Sequence, residues 1–228
     1  MTDDRALVFA RIREALQTPR PLHGHYDGLP GPAPAENGKG YAAWLPRVED
    51  TPSGRLLAFR ERSELLKTEL VVATRAGLAG TVQALQQRHG WKSAAWHRTR
   101  LTETAAGAAG LPLLSTDQAY ETAALERVDA SFTGCDALVA QTGSVLLTTR
   151  SAGGRALSIL PPHHVVFAEA SQLIADLPAA MRLLRERYGN DLPSMICLET
   201  GPSRTGDIER ILVLGAHGPK KLTVVLVE

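Results

Sequence analysis

Short apolar runs alternate with helix-length segments along most of this chain, and that rhythm constrains its fold. The segments 69–73, 164–168 and 222–227 have the length and composition of buried strands. Segments with helical spacing lie between them, at 75–88 and 176–188. Alternating strands and helices are typical of a mostly parallel sheet that helices cover on both faces. The sequence therefore predicts an α/β fold.

A hairpin signal adds an antiparallel piece to this fold. The apolar runs 137–140 and 145–148 flank Gln141-Thr142-Gly143-Ser144, and Gly143 is the residue that a tight turn favours. We predict a further strand at 194–198, ahead of a polar loop. The segment 99–110, rich in Thr, Ala and Gly, leaves helix and loop both open.

The first fifty residues differ from the rest. Residues 3–17 have helical spacing, and residues 18–40 are rich in proline and glycine, which excludes regular structure there. We interpret 18–40 as an extended arm that wraps the body or joins a partner. The predicted division is a helix and arm at 1–50 and an α/β domain at 51–228, which opens with a helix that ends near Lys67.

Composition excludes several classes of function. The net charge of +1 provides no strong field for nucleic acid or an anionic membrane. The apolar runs are strand-length, well short of the roughly 20 residues of a membrane span, and the first residues lack a secretory signal. We therefore expect a cytoplasmic protein. Cys135 and Cys197 are expected to be buried thiols, too few to hold an iron–sulfur cluster.

The polar segment 201–209 is the first candidate site. Ser203, Arg204 and Thr205 combine two hydroxyls with a guanidinium, groups that bind a phosphate or carboxylate. Asp207 follows as an orienting group or an acid–base group. Ligands of open α/β sheets bind beyond the carboxyl ends of strands, where this loop would follow the strand 194–198. The alternative is a helix cap beside a surface ion pair.

His217 stands between glycines in the segment 215–219. An imidazole in such a turn can serve as a general base near neutral pH, with Asp207 as its partner. The alternative is a histidine that only closes a turn. We expect these loops to meet at one rim and form a pocket for an anion.

Two more turns are candidate parts of that pocket. The hairpin turn would present Thr142, Gly143 and Ser144 to a ligand, and the loop 151–155 would add Arg155. A plain hairpin and a flexible surface loop are the alternatives. No nucleotide-binding glycine motif is visible, and adjacent strand histidines such as His163 and His164 point to opposite faces, so we predict no metal site and name no cofactor.

The segments 136–144, 160–164, 201–209 and 215–219, in this order and spacing, resemble the lactate utilization protein C family, whose domain is the LUD domain. The resemblance covers roughly residues 55–228. It implies a three-layer α/β sandwich like that of ribose-5-phosphate isomerase and the CoA transferases. It also implies a part in a three-protein system that oxidises L-lactate to pyruvate, with iron–sulfur proteins as partners.

The resemblance names a pathway more securely than a reaction, so three functions stay open. The chain is a small-anion-binding, non-cluster subunit of a lactate-oxidising system, a stand-alone enzyme or binding module for sugar phosphates or CoA esters, or an assembly module that docks through its arm. Whether it is an enzyme is undecided. CoA transferases of similar fold use a glutamate in the turn where this chain has Gln141, which argues against acyl transfer.

Overall fold

The computed structural model describes residues 4–17, 45–205, 213–214 and 217–228. The predicted arm at 18–40 and the residue Asp207 therefore lie outside the described residues. Two compact units divide the chain, residues 1–45 and 46–228, and each is described by itself.

Helices and strands alternate through most of the described chain. The helices are α1 (Asp4–Gln17), α2 (Pro52–Leu66), α3 (Leu78–His89), α4 (Arg100–Ala109), α5 (Thr122–Leu125) and α6 (Leu177–Tyr188). The strands are β1 (Glu69–Ala73), β2 (Ala94–Trp96), β3 (Leu113–Ser115), β4 (Ala130–Thr133), β5 (Ala137–Val139), β6 (Ser144–Thr148), β7 (His163–Glu169), β8 (Leu173–Ile174), β9 (Ile196–Glu199), β10 (Arg204–Thr205), β11 (Val213–Leu214) and β12 (Lys221–Val227).

The centre of the second unit is a six-stranded sheet in which every pair is parallel. Its order is β1-β12-β7-β4-β2-β3. The central strands β7 and β12 are almost wholly buried, as their continuous apolar sequences require. The predicted α/β fold with a mostly parallel sheet is confirmed.

Both faces of this sheet are covered. Side chains alternate along β7, so that Val165 and Phe167 pack with α3 and α4 while Val166 and Ala168 pack on the opposite side. That opposite side meets Phe59 of α2 and the apolar residues of a second sheet. Helix α6 packs on the second sheet through Ala180 and Leu184. The layers place the polar strand ends at the rims, where a site can form.

The second sheet contains four strands in the order β8-β5-β6-β9. The predicted hairpin is confirmed, with β5 and β6 antiparallel around Gly143. The expectation that strand 194–198 ends at the carboxyl edge of the parallel sheet is wrong, because β9 pairs antiparallel with β6. Its four-residue sequence ICLE does not reveal which of the two sheets it joins.

Two further expectations receive a definite answer. The segment 99–110 is helical, because Thr99 and Thr102 form a reciprocal capping box and Gly110 ends the helix. Both cysteines are free thiols, but only Cys135 is buried, since Cys197 lies exposed on β9. Burial raises the pKa of the Cys135 thiol far above its usual range, so it is no nucleophile.

The first unit contributes one described element, the fourteen-residue helix α1. Leu7, Phe9 and Ile12 on it are exposed, and the Arg5 guanidinium lies 5.7 Å from the centre of the Phe9 ring. Among the described residues, no helix has both the length and the apolar character that a bilayer crossing requires.

Candidate functional site

The two C-terminal motifs lie against each other. The Ser203 amide donates to the Pro219 carbonyl at 2.9 Å. A Cβ atom at Gly218 would lie 3.0 Å from the Ser203 Cβ, so the two segments are in van der Waals contact. Arg204 begins the short strand β10, which pairs with β11. The expectation that distant turns meet at one rim therefore holds for these two segments.

This rim is the amino edge of the parallel sheet, not the predicted carboxyl edge. Pro219 lies two residues before Lys221, the first residue of β12. Lys221 is in register with His163, the first residue of β7. In the next strand, Glu69 opens β1 and is in register with Thr223. Three neighbouring strands thus begin with polar side chains at one edge.

A cavity of about 370 Å³ opens at this edge. Its lining residues come from the strand starts, from the ends of α2 and α3, and from the segment that follows β9. They are Lys67, Glu69, His89, His163, Pro202, Arg204, Lys220, Lys221, Leu222 and Thr223. A volume of this size suits a small molecule rather than a large cofactor.

The lining of the amino-edge cavity is cationic. Four of its side chains carry positive charge and one, Glu69, carries negative charge. Lys67 ends α2 in the left-handed conformation at a φ of 64°, where its amide donates to the last carbonyls of the helix. The Arg204 guanidinium donates to the Leu66 carbonyl and keeps further donors for a ligand. Such a lining attracts a small anion.

Glu69 lines the cavity and accepts hydrogen bonds from three neighbouring side chains. Its carboxylate accepts from Thr223 Oγ1 at 2.9 Å, from His89 Nε2 at 3.0 Å and from the Arg88 guanidinium. Burial acts to raise the pKa of Glu69, but the bonds from Thr223, His89 and Arg88 outweigh it and hold that pKa below its ordinary value. Glu69 is therefore an anion whose charge is balanced inside the protein.

His163 is fixed in one neutral tautomer. Trp91 Nε1 can only donate, and it lies 3.1 Å from His163 Nδ1, so Nδ1 is the acceptor. His163 Nε2 then donates to Thr223 Oγ1 at 2.8 Å. Burial, followed by the fields of His89 and Lys221, lowers the pKa of His163 to about 3. A directed chain of hydrogen bonds consequently runs from Trp91 through His163 and Thr223 to Glu69.

Glu69, His89 and His163 bring three possible metal-ligand atoms within 4.8 Å of one another. A metal needs a lone pair on each imidazole. The lone pair of His163 at Nδ1 is occupied by the Trp91 N–H, and ligation through Nε2 would turn a second N–H toward that indole. Lys221 and Arg88 add positive charge beside the cluster. The cluster of Glu69, His89 and His163 therefore does not suit a metal cation, and the positive charges beside the cluster favour an anion.

The hairpin turn packs on α2, and Thr142, Gly143 and Ser144 are not among the residues that line the amino-edge cavity. Ser144 is buried, and its hydroxyl pairs with Thr142 Oγ1 and with Thr200 Oγ1, each at 2.7 Å. A Cβ atom at Gly143 would lie 2.6 Å from the Arg62 Cβ, so the turn rests directly on α2. Gln141 donates to the Pro46 carbonyl at 3.0 Å.

Two more of the predicted residues, Arg155 and His217, are described and are not among the residues that line this cavity. Arg155 donates to the Ser194 carbonyl at 2.8 Å, before β9 begins, whereas the segment starting at Gly201 follows the end of β9. His217 is described and exposed. Asp207 and the side chain of Thr205 lie outside the described residues. Among the predicted site residues whose side chains the structure describes, Arg204 alone lines the cavity.

His164 points to the opposite face from its neighbour, as its position in a strand requires. It is fully buried, with Nε2 2.8 Å from Thr133 Oγ1 and Nδ1 2.7 Å from the Glu199 carboxylate of the second sheet. This contact between His164 and Glu199 joins the two sheets.

A second cavity, of about 410 Å³, lies where sequence reasoning expected the site, at the carboxyl ends of β4 and β7. Its charged side chains pair with carboxylates of the protein. Glu169 binds Arg100 and, at 3.3 Å, Arg75, while Arg187 binds the buried Asp136 at 2.7 Å. This cavity therefore offers less uncompensated charge than the amino-edge cavity.

Sequence reasoning missed Glu69, His89, Lys220 and Lys221 as site residues. A signal was available for Glu69 and Lys221, because a glutamate opens the predicted strand 69–73 and a lysine directly precedes the predicted strand 222–227. Parallel strands begin at the same edge, so these residues had to be neighbours if their strands were adjacent. The order of the strands was the missing information.

Comparison with known proteins gives several matches. The curated relatives include lactate utilization protein C of Anoxybacillus flavithermus, 36% identical over 46% of this chain and 46% of the relative. The chain thus spans about half the length of that relative. Lactate utilization protein C of Macrococcus caseolyticus is 28% identical over 81% of this chain and 85% of the relative.

A solved structure and a family model extend these matches. The crystal structure of a DUF162 family protein from Deinococcus radiodurans has a TM-score of 0.60 at 20% identity, over 78% of this chain and 99% of that one, and is similar in fold. The family model described as the LUD domain matches residues 64–227, which is most of the chain. The chain therefore belongs to the LUD domain family.

Proposed function

We propose that this chain works in lactate utilization and binds a small anion in the amino-edge cavity. The names of its curated relatives support the pathway, and the cationic lining supports the ligand class. The proposal keeps the expectation of a cytoplasmic protein that acts with iron–sulfur partners in L-lactate oxidation. His217 and Asp207, predicted from the sequence as a proton-handling pair, stay in the proposal as one candidate for that role.

One observation carries the anion site. Arg204, Lys220 and Lys221 come from two separate segments and line the same cavity. Glu69, the one acidic residue among the described residues of the lining, already accepts three hydrogen bonds from its neighbours. Among the described residues, the positive charge of this lining therefore exceeds the negative charge, and a ligand with a carboxylate or phosphate would balance it.

Calorimetric titration with L-lactate and with inorganic phosphate tests the site. We expect Arg204→Ala and Lys221→Ala each to weaken binding by roughly 10- to 100-fold, the worth of a hydrogen bond to a charged group. Arg155→Ala is the matched control, an exposed arginine outside the cavity, and should bind like the unaltered chain. Equal binding by all variants would reject the amino-edge cavity.

The pathway needs its own test. A strain that lacks this chain should lose growth on L-lactate, and the unaltered gene should restore it while the Arg204→Ala variant restores it poorly. Normal growth of the deletion strain on L-lactate would reject the pathway and leave the anion site standing. Tight binding of a sugar phosphate or a CoA ester, with no response to lactate, would favour the alternative function instead.

A further inference from the structure

His89 lines the amino-edge cavity, and its ring is held in place by neighbouring side chains. It is the last residue of α3, and its side chain is 14% exposed. Its ring stacks on Trp91 at 5.6 Å between centres and meets the His163 ring edge-on at 4.5 Å. These contacts, together with the bond to Glu69, leave the ring one orientation.

The hydrogen-bond partners of His89 decide which nitrogen faces the ligand. Nε2 lies 3.0 Å from the Glu69 carboxylate, which can only accept, so Nε2 carries the proton. Nδ1 lies 3.4 Å from Lys221 Nζ, which can only donate, so Nδ1 carries the lone pair and accepts a long hydrogen bond that a ligand can replace. A carboxylate that holds one imidazole nitrogen while the other turns to the reacting group is the arrangement of an oriented general base.

The same cannot be said of the other histidines at this edge. The lone pair of His163 accepts a buried hydrogen bond of 3.1 Å from Trp91, whereas that of His89 faces an exposed lysine at 3.4 Å. His217 is exposed. His89 is thus the histidine in the cavity lining whose lone pair points at a cation that an anionic ligand would bind.

We infer that His89 is the proton acceptor of this cavity and that the ligand is a small hydroxy acid. This inference rests on the proposed anion site. With the ligand's carboxylate on Arg204 and Lys220, its hydroxyl donates to His89 Nδ1 in place of Lys221. On transfer, the O–H bond breaks and an Nδ1–H bond forms. The electron pair stays on the oxygen beside Lys221, and Glu69 balances the imidazolium.

The test compares two ligands that differ only in the hydroxyl. L-lactate and propionate carry the same carboxylate, so the ratio of their dissociation constants isolates the hydroxyl. We expect the full-length chain to prefer L-lactate by roughly 3- to 10-fold, the range of a neutral hydrogen bond. His89→Phe keeps the ring that packs on Trp91 but has no lone pair, and should bind both ligands equally. Thermal unfolding checks that this variant is folded.

Two further variants sharpen the result. His217→Phe should keep the preference for L-lactate, and loss of the preference in that variant alone would assign the acceptor to His217 and overturn the inference. Glu69→Gln should reduce the preference, because a neutral amide does not hold Nε2–H in the same way, which makes Glu69 a positioning residue.

The possible failures are distinguishable. Binding of both anions without any preference would overturn the role of His89 and leave the anion site intact. Binding of neither would reject the anion site and the inference together. A preference that survives in a folded His89→Phe variant would show that the hydroxyl is held elsewhere.

Discussion

The pKa of His163 lies far below the ordinary value of a histidine, and this makes the stability of the folded chain sensitive to acid. The unfolded imidazole takes up a proton below its ordinary value of 6.5, whereas burial keeps the folded one neutral down to about 3. Between these values the unfolded state binds more protons, so the free energy of unfolding falls as the pH falls. One such group contributes a slope of up to about 1.4 kcal/mol per pH unit.

We therefore expect urea unfolding of the full chain between pH 6.5 and 5.5 to show this slope, at a pH where most carboxylates are still ionised in both states. His163→Gln should lower the slope, whatever it does to the stability at neutral pH. His217→Gln, at an exposed histidine, should leave the slope unchanged. Equal slopes in all three proteins would contradict the picture of His163 as a buried neutral group.

Among the elements, the hairpin turn and α2 pack closely against each other. Gly143 has a φ of 67°, and a Cβ atom there would lie 2.6 Å from the Arg62 Cβ and 3.0 Å from Leu66 Cδ1. Gly110 has a similar φ of 62° with nothing within 4 Å of its added Cβ. Comparison of the two positions therefore separates the cost of backbone strain from the cost of a steric collision.

Gly110→Ala should cost about 1–2 kcal/mol, the strain of an L-residue in the left-handed region. Gly143→Ala should cost that amount plus about 1–3 kcal/mol for overpacking against α2. Chemical denaturation of the two variants gives the comparison. Equal losses would mean that α2 yields to the turn and that the two elements are not rigidly packed.

The elements also show what the sequence can and cannot predict. The strands 69–73, 164–168 and 222–227 were predicted because buried parallel strands are continuous apolar runs, and the hairpin because Gly143 marks its turn. Helix α4 stayed undecided because its capping box uses Thr102 where glutamate or glutamine is the usual signal. Local sequence identifies an element far better than it identifies its neighbour.

The site was only partly predictable for that same reason. Arg204 was recognised from its polar turn, and it does line the cavity. His89 and Glu69 were missed because each looks like the polar end of an ordinary element. Only the pairing of β1 with β12, and of β12 with β7, brings them beside Lys221 and His163. Such pairing depends on contacts between segments that lie far apart in the chain, such as Glu69 and Thr223.

For the whole molecule, the second unit contains its own apolar core. The described residues that form the four hydrophobic clusters all lie between Val48 and Val227. We expect a fragment of residues 46–228 to fold by itself and to unfold in one cooperative thermal transition. Circular dichroism of the fragment and of the full chain measures this. A broad, non-cooperative transition in the fragment would show that residues 1–45 contribute to the core.

Leu66, at the end of α2, has a consequence for how this protein can change. The turn at Gly143 rests on its side chain, a Cβ atom at Gly201 would lie 3.0 Å from its carbonyl oxygen, and Arg204 donates to that oxygen. Leu66 thus contacts two loops and accepts a hydrogen bond from Arg204, which lines the cavity. An insertion or deletion in α2 would rotate Leu66 away from these contacts. We therefore expect such a change to alter ligand preference through a residue that does not itself line the cavity.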